Sequence, residues 1–363
     1  MPHAAATLPL HGGRCPPWLF ERMKRLGAAI VEVMVHEFGP EEVLRRLSDP
    51  YWFQALGCVL GFDWHSSGVT TTVCGALKEG LGPRQRELGL YVAGGKGGAS
   101  RKTPQEIETH VERDGLAVDG PGLVHASRMA AKVDNTALQD GFQLYHHVFF
   151  FSATGAWAVV QQGMEPEGSL ARRYHWLSAN VRSFVEEPHA AVCCDRTVEP
   201  VNLVAGESGA CRSTTTALAG EDPAGLAREL ARIVETGRHL RLPMAHQVPR
   251  AAYLEKALLD LYRHPPETFE GLLGSAGVGP KTLRALALIA EVTYGAAPSY
   301  RDPVRYSFAH GGKDGTPRPV DRDLYDADIE ALNRLLREAK VDRTEKLHAF
   351  RRLARYSAEL APR

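Results

Sequence analysis

The sequence predicts a mixed α+β protein, with an N-terminal α/β domain holding a small β-sheet and a C-terminal all-α domain. Three observations carry that expectation. Apolar residues recur at helical spacing near the N-terminus; a β-prone run, VFFFSATGAWAVVQQGM, folds back on itself in the middle; and from about residue 221 onward the pattern is helical only.

Taken in order, the first helix starts at Pro16-Pro17. Trp18, Leu19, Met23, Leu26, Ile30, Val33 and Met34 recur along it, and Gly39 closes it. Pro40 opens a shorter helix, EEVLRRLS. The stretch WFQALGCVLGFDWHSSGVTTTVCGALKEGL reads as two packed helices around a turn at 61–68. Around 90–103 a short strand leads into a flexible basic loop. Residues 123–147 read as helical, and the hairpin follows with its turn at Thr154-Gly155. Residues 184–203 add one or two strands. The stretch GESGACRSTTTALAGEDPAG reads as a connector, dividing the chain into 1–210 and 221–363. Beyond it come ARELARIV, YLEKALLDLY, a helical pair at 266–295, a Gly/Pro-rich stretch at 296–320, and two closing helices rich in Arg.

The composition is that of an ordinary globular protein: 363 residues, 44% apolar and 24% charged, enough for two domains with buried cores. Lys+Arg and Asp+Glu are 43 each, so any grip on a polyanion comes from local patches and not from a global field. The six cysteines form no C-x-x-C pair, which argues against a zinc ribbon and for reduced thiols. MPHAAATLPLHGG has no basic region followed by an apolar run, and nothing approaches the roughly 18 apolar residues of a membrane span. A cytoplasmic protein is expected.

The most informative segment is ETFEGLLGSAGVGPKTLRALALIAE. A short amphipathic piece with Phe269, Leu272 and Leu273 leads to Gly277-Val278-Gly279, and a helix with Leu283, Leu286, Ala287 and Ile289 inward follows. Two glycines around one apolar residue allow a tight turn, and Val278 can plug the space between the helices. Pro280 suits the first helical turn. The turn leaves free N–H groups at the positive end of a helix dipole, which is a ready phosphate site, with the charge of Lys281 and the hydroxyl of Thr282 beside it. Residues 266–295 thus resemble the helix–hairpin–helix of DNA repair and recombination proteins; the plainer alternative is an ordinary helical corner. The resemblance implies backbone binding without sequence readout. Lys281 also stands where the similar GVGRKT pattern of the endonuclease III group of glycosylases has its catalytic lysine, implying a Schiff-base nucleophile. That group's V-D-x-H segment is matched only by the distant Val320-Asp321-Arg322, and its cysteine cluster has no counterpart.

Candidates for chemistry lie in the first two hundred residues. Phe62-Asp63-Trp64-His65 sets a carboxylate and an imidazole two apart at a turn. Asp134, Asn135, Gln139 and Asp140 share one expected helical stretch, with Asn135 and Gln139 on a common face. His146 and His147 begin the hairpin opposite Gln161-Gln162, and Glu186-Glu187-Pro188-His189 ends another strand. Together these offer oxygen and imidazole donors suited to Mg2+ or Mn2+, with Asp63, Asp134 and Asp140 as ligands and His65, His146 and Glu187 as further catalytic groups. Two such ions would activate water and stabilise the leaving oxygen of a phosphodiester. The bland alternative makes Asp63 and Asp134 helix caps, one of His146 and His147 a core histidine, and Glu186 and Glu187 solvated surface. The arrangement around Asp140 and Gln161-Gln162 is loosely similar to restriction-type nuclease folds but lacks their E-x-K.

The loop holding Lys96, Arg101 and Lys102 is a candidate phosphate track; its GGK core recurs at 311–313, and neither copy matches a P-loop. Arg172-Arg173-Tyr174-His175-Trp176 mixes guanidinium and aromatic groups as single-strand stacking sites do, and reads equally as a helix face with a packed Trp.

The segments HGGRCPPWLFERM, DPYWFQALGCVLGFDWHSSGVTTTVCGALKEGL, YVAGGKGGASRKTP, ASRMAAKVDNTALQDGFQLYHHVFFF, WAVVQQGM and FAHGGKDG resemble the archaeal and bacterial family known as Domain of Unknown Function 763. That resemblance spans nearly the whole chain and implies no activity. The expected function therefore rests on the residues: a DNA-processing or repair protein, a Mg2+- or Mn2+-dependent nuclease binding DNA, single- or double-stranded, by its backbone. Homodimerisation and contact with other repair factors are compatible with it; a membrane is not expected. The alternatives are a non-catalytic nucleic-acid-binding accessory factor and a base-excision lyase using Lys281.

Overall fold

The amphipathic N-terminal run forms α1 (Pro17–Phe38), ended by Gly39 with φ +84; Pro40 immediately opens α2 (Pro40–Ser48). The computed structural model describes residues 15–62, 68–165, 170–194, 196–236, 248–304, 322–339 and 341–360. Asp49 then caps α3 (Pro50–Val59), its Oδ1 accepting from Tyr51 N at 2.8 Å and Trp52 N at 3.1 Å. Next come α4 (Gly68–Leu81), the single turn α5 (Gln85–Leu88), strand β1 (Leu90–Lys96), α6 (Thr103–Asp114) and α7 (Gly120–Lys132).

Here the chain departs from the sequence expectation. The helix expected over 123–147 ends at Lys132, loosens into a π-turn over Val133–Ala137, and becomes extended at β2 (Leu138–Gln139) and β3 (Gln143–Ser152). β-Branched Val133 and Thr136 sit where the helix gives way, and Gly141, at φ +88, makes the corner before β3. The strands β4 (Trp157–Met164), β5 (Ala171–Leu177), β6 (Ala191–Cys193) and β7 (Val201–Asn202) follow. The stretch expected as a connector instead forms α8 (Gly209–Leu218), which buries Cys211, Thr215 and Leu218 and packs on α12. The remaining helices are α9 (Pro223–Glu235), α10 (Ala251–Arg263), α11 (Phe269–Gly274), α12 (Pro280–Tyr294), α13 (Arg322–Glu338) and α14 (Arg343–Leu360).

The main sheet is antiparallel, in the order β1-β3-β4-β5-β6, and helices cover both faces. Successive side chains point to opposite faces. Val92, Val148, Phe150, Ala158 and Val160 therefore pack with α1–α4, while Ala93, Phe149, Phe151, Val159 and Trp176 pack with α6 and α7 and join the core that continues through α8–α12. Double coverage explains why β5 is buried from end to end. Leu332, Leu335, Leu336 and Leu353 of α13 and α14 belong to the core of the N-terminal helices, with α13 packed on α1 and α14 on α3. No disulfide joins the six cysteines, and no helix among the described residues is long and apolar enough to cross a membrane.

Candidate functional site

The segment expected as two helices around a glycine turn has that form: α11, a turn at 275–279, and α12. Thr268 caps α11 through Gly271 N at 3.1 Å. Val278 is buried between the helices at 3% exposure, while Ala276, Gly277 and Lys281 are exposed. The turn is held from behind by its carbonyls. Lys132 Nζ donates to Val278 O at 2.8 Å, and Gln139 Nε2 donates to Pro280 O at 2.9 Å while its Oε1 accepts from Arg284 Nε at 2.8 Å. Burial pushes the Lys132 ammonium below its ordinary range. Thr282, expected beside a phosphate, instead points inward and is fully buried; at N3 of an amphipathic helix it lies on the core side. Lys281 lacks the desolvated setting a Schiff-base lysine uses.

The two glycines are not equivalent. Gly277 has φ +78, whereas Gly279 is extended at φ −128 and ψ −178, and a Cβ at either would meet nothing within 4 Å. Gly277→Ala is thus expected to lower stability by about 1 kcal/mol through backbone conformation alone, and Gly279→Ala to stay within about 0.5 kcal/mol of wild type. Denaturant midpoints of the two variants decide it; equal losses would remove the special role of Gly277.

The hairpin rests on the turn that carries Asp134. Asp134 is fully buried: its Oδ2 accepts from Trp176 Nε1 at 2.9 Å and from Gln161 Nε2, and its Oδ1 faces His189 Nε2. Gln161 Nε2 also donates to Ala130 O at 3.0 Å, which leaves Oε1 to face His147 Nδ1 at 2.7 Å. That nitrogen must then carry the proton, so His147 Nε2 accepts from the Ser127 hydroxyl at 2.9 Å. Burial pushes the His147 imidazole down, opposed by its bond to Gln161.

Asp140 sits in a second buried network. Its Oδ1 accepts from Phe142 N at 3.0 Å, and its Oδ2 from Arg172 Nη1 at 3.0 Å and the Tyr174 hydroxyl at 2.7 Å. Burial pushes the Asp140 carboxyl up while Arg172 and Tyr174 pull it down. Magnesium or manganese binds through carboxylate lone pairs with oxygen partners. Here those lone pairs face N–H and O–H donors, and Asp140 adjoins a guanidinium. Among the described residues no group of three or more His, Cys, Asp or Glu side chains could hold a metal ion. Asp134 and Asp140 therefore do not fit the metal role expected of them. Asp63 and His65 lie outside the described residues.

The other expected groups are scattered. Glu187 is exposed at φ +46 and ties a turn, donating from its N to Val204 O at 2.8 Å and accepting from Gly206 N at 3.0 Å. His146 is buried at the start of β3, directly opposite Gln162 as the hairpin reading requires. Lys96 ends β1, and Arg101 and Lys102 are exposed on a 3-10 turn running into α6, where a flexible loop was expected. Arg172 to Trp176 form neither a stacking surface nor a helix face; they are strand β5, buried on both sides.

The family model described as "Protein of unknown function (DUF763)" matches residues 4–320. The chain belongs to the DUF763 family. No curated protein and no solved structure matches it. For this DUF763 chain, sequence reasoning missed Lys132, the docking role of Gln139, and the buried pair Arg172–Asp302. Lys132 offered no signal, because it fell in the middle of the helix expected over 123–147. The double arginine of β5 did offer one, because a cation inside a β-prone run needs a buried partner.

Proposed function

We propose that this DUF763 protein binds nucleic acid by its phosphate backbone at the turn between α11 and α12, acting as a helix–hairpin–helix. One observation carries the reading: the turn is fixed from behind through the carbonyls of Val278 and Pro280, while Gly277 and the Lys281 ammonium stay exposed at the start of a fifteen-residue helix. A rigid turn at the positive end of a helix meets a phosphate without reordering, and Lys281 adds a point charge. Such contacts are independent of sequence.

Fluorescence anisotropy with single-stranded and duplex oligonucleotides at several salt concentrations tests it. Lys281→Glu is expected to weaken binding about tenfold or more for every sequence and to reduce the salt slope by about 1. Gly279→Ala, which leaves stability nearly unchanged, should also weaken binding by placing a methyl in the open approach to the turn. Wild-type protein that binds neither substrate at low salt, or Lys281→Glu that binds as wild type does, would end this reading.

A further inference from the structure

Four antiparallel strands set Lys96, His146, Gln162 and Arg173 in line: Lys96 opposes His146, His146 opposes Gln162, and Gln162 opposes Arg173. Directly opposed residues share a face. These side chains therefore form one polar row on the face that packs against α1–α4, where the strands otherwise present Val148, Phe150, Ala158 and Val160. The β3–β4 register shifts between Leu144 and His146, and this irregularity brings Tyr145 to the same row. The Tyr145 hydroxyl accepts from Gln162 Nε2, so its own proton is available to another acceptor. Lys96 Nζ lies 5.8 Å above the Tyr145 ring. The row thus holds two cations, an imidazole, an amide and a phenol, and none of its members is a carboxylate.

His146 is its unexplained member. The imidazole is 1% exposed, and neither ring nitrogen has a hydrogen-bond partner among the described residues. Buried polar groups are ordinarily satisfied, so one left with both nitrogens bare calls for a cause. Burial, then the neighbouring His147 and Lys96, push its pKa down to about 3. Lys96, next to it in the row, is exposed and marks the solvent end.

We propose that this row is an anion site that takes a phosphate-ester group, captured by Lys96 at the rim and held by the Tyr145 hydroxyl and the His146 imidazole just inside it. An entering anion breaks no hydrogen bond that His146 makes among the described residues, and it meets the Lys96 ammonium at the exposed end of the row. The site stands apart from the turn between α11 and α12 and does not rest on nucleic-acid binding there.

Imidazole 1H–15N correlation spectra of the full chain test it, with the His146 signal assigned by its loss in His146→Gln. The probes are inorganic phosphate, adenosine 5′-monophosphate and a 12-nucleotide oligothymidylate. The His146 signal is expected to move saturably, with half-saturation raised about tenfold in Lys96→Gln, an exposed change that spares the fold. Movement with phosphate or the mononucleotide makes this a small-phosphate site. Movement with the oligonucleotide alone makes it a strand-backbone site; Lys281→Glu then reports on the hairpin separately. A His146 signal unmoved by all three probes, or moved equally in Lys96→Gln, overturns the proposal. Should His146→Gln not fold, 31P line broadening of the mononucleotide, wild type against Lys96→Gln, reads the same ratio, and equal broadening overturns it.

Discussion

Arg172→Leu is expected to lower global stability by about 3–5 kcal/mol, the largest single loss foreseen for any side chain of the sheet. Its guanidinium is fully buried and bridges two carboxylates: Nη1 donates to Asp140 Oδ2 at 3.0 Å and Asp302 Oδ1 at 3.1 Å, and Nη2 donates to Asp302 Oδ2 at 2.8 Å. Phe142 lies 4.7 Å beneath the guanidinium. Burial works against the charge on Arg172, yet Asp140 and Asp302 together raise its pKa above the ordinary value. Leucine fills much of the volume but strands two buried carboxylates, whose side chains are 0% and 6% exposed. Removing one partner of a buried ion pair is far costlier than replacing the whole set. Arg172→Leu combined with Asp140→Asn and Asp302→Asn should therefore recover part of the loss. Denaturant midpoints with unchanged m-values check both statements. A loss under about 1 kcal/mol in the single variant would show that the bridge contributes little.

That bridge also shows where the sequence stops being informative. The two β-prone runs of VFFFSATGAWAVVQQGM and the turn between them specified β3 and β4 and the opposition of His146-His147 to Gln162-Gln161, because a hairpin's register follows from its own turn. The glycine turn before α12 was legible for the same reason, since a positive φ at Gly277 and a plug at Val278 are local demands. The helix ending at Lys132 was not legible. Apolar spacing continues through Val133 and Ala137, and what turns the chain is the capture of Asp134 by Trp176, Gln161 and His189, up to 55 residues away.

The candidate site divides in the same way. The glycine turn at Gly277, with Lys281 exposed beside it, was readable from its immediate neighbours. Asp134 and Asp140 looked like ligands because nothing local could show that their oxygens are already occupied by groups distant in sequence. Asp302 lies 130 residues from Arg172 and no short-range pattern connects them. A carboxylate's availability is a tertiary property, whereas a turn's shape is mostly a local one.

Acid should destabilise the fold well above the pH at which its carboxylates titrate. His146, His147 and His175 are buried, and burial holds each imidazole below its ordinary value: His146 at about 3, His175 well below with Arg173 adding to the effect, and His147 lowered despite its bond to Gln161. The folded state therefore keeps these rings neutral in a range where the unfolded chain binds protons. Stability then falls as pH drops below about 6.5, and for His146 it continues to fall until about pH 3. At about 1.4 kcal/mol per pH unit, His146 alone costs about 2 kcal/mol between pH 6.5 and 5, and His147 and His175 act in the same direction. Asp140, whose carboxyl burial pushes up, works in the opposite sense by accepting a proton in the folded state first. Chemical denaturation at pH 7.5, 6 and 5 measures the balance, and His146→Gln should flatten the slope by removing one of its terms. A stability that holds level from pH 7.5 to 5 would mean that Asp140 offsets the imidazoles or that they find protons or partners in the folded protein. For His146, whose nitrogens have none among the described residues, an anion already seated in the row beside Lys96 would be the first candidate.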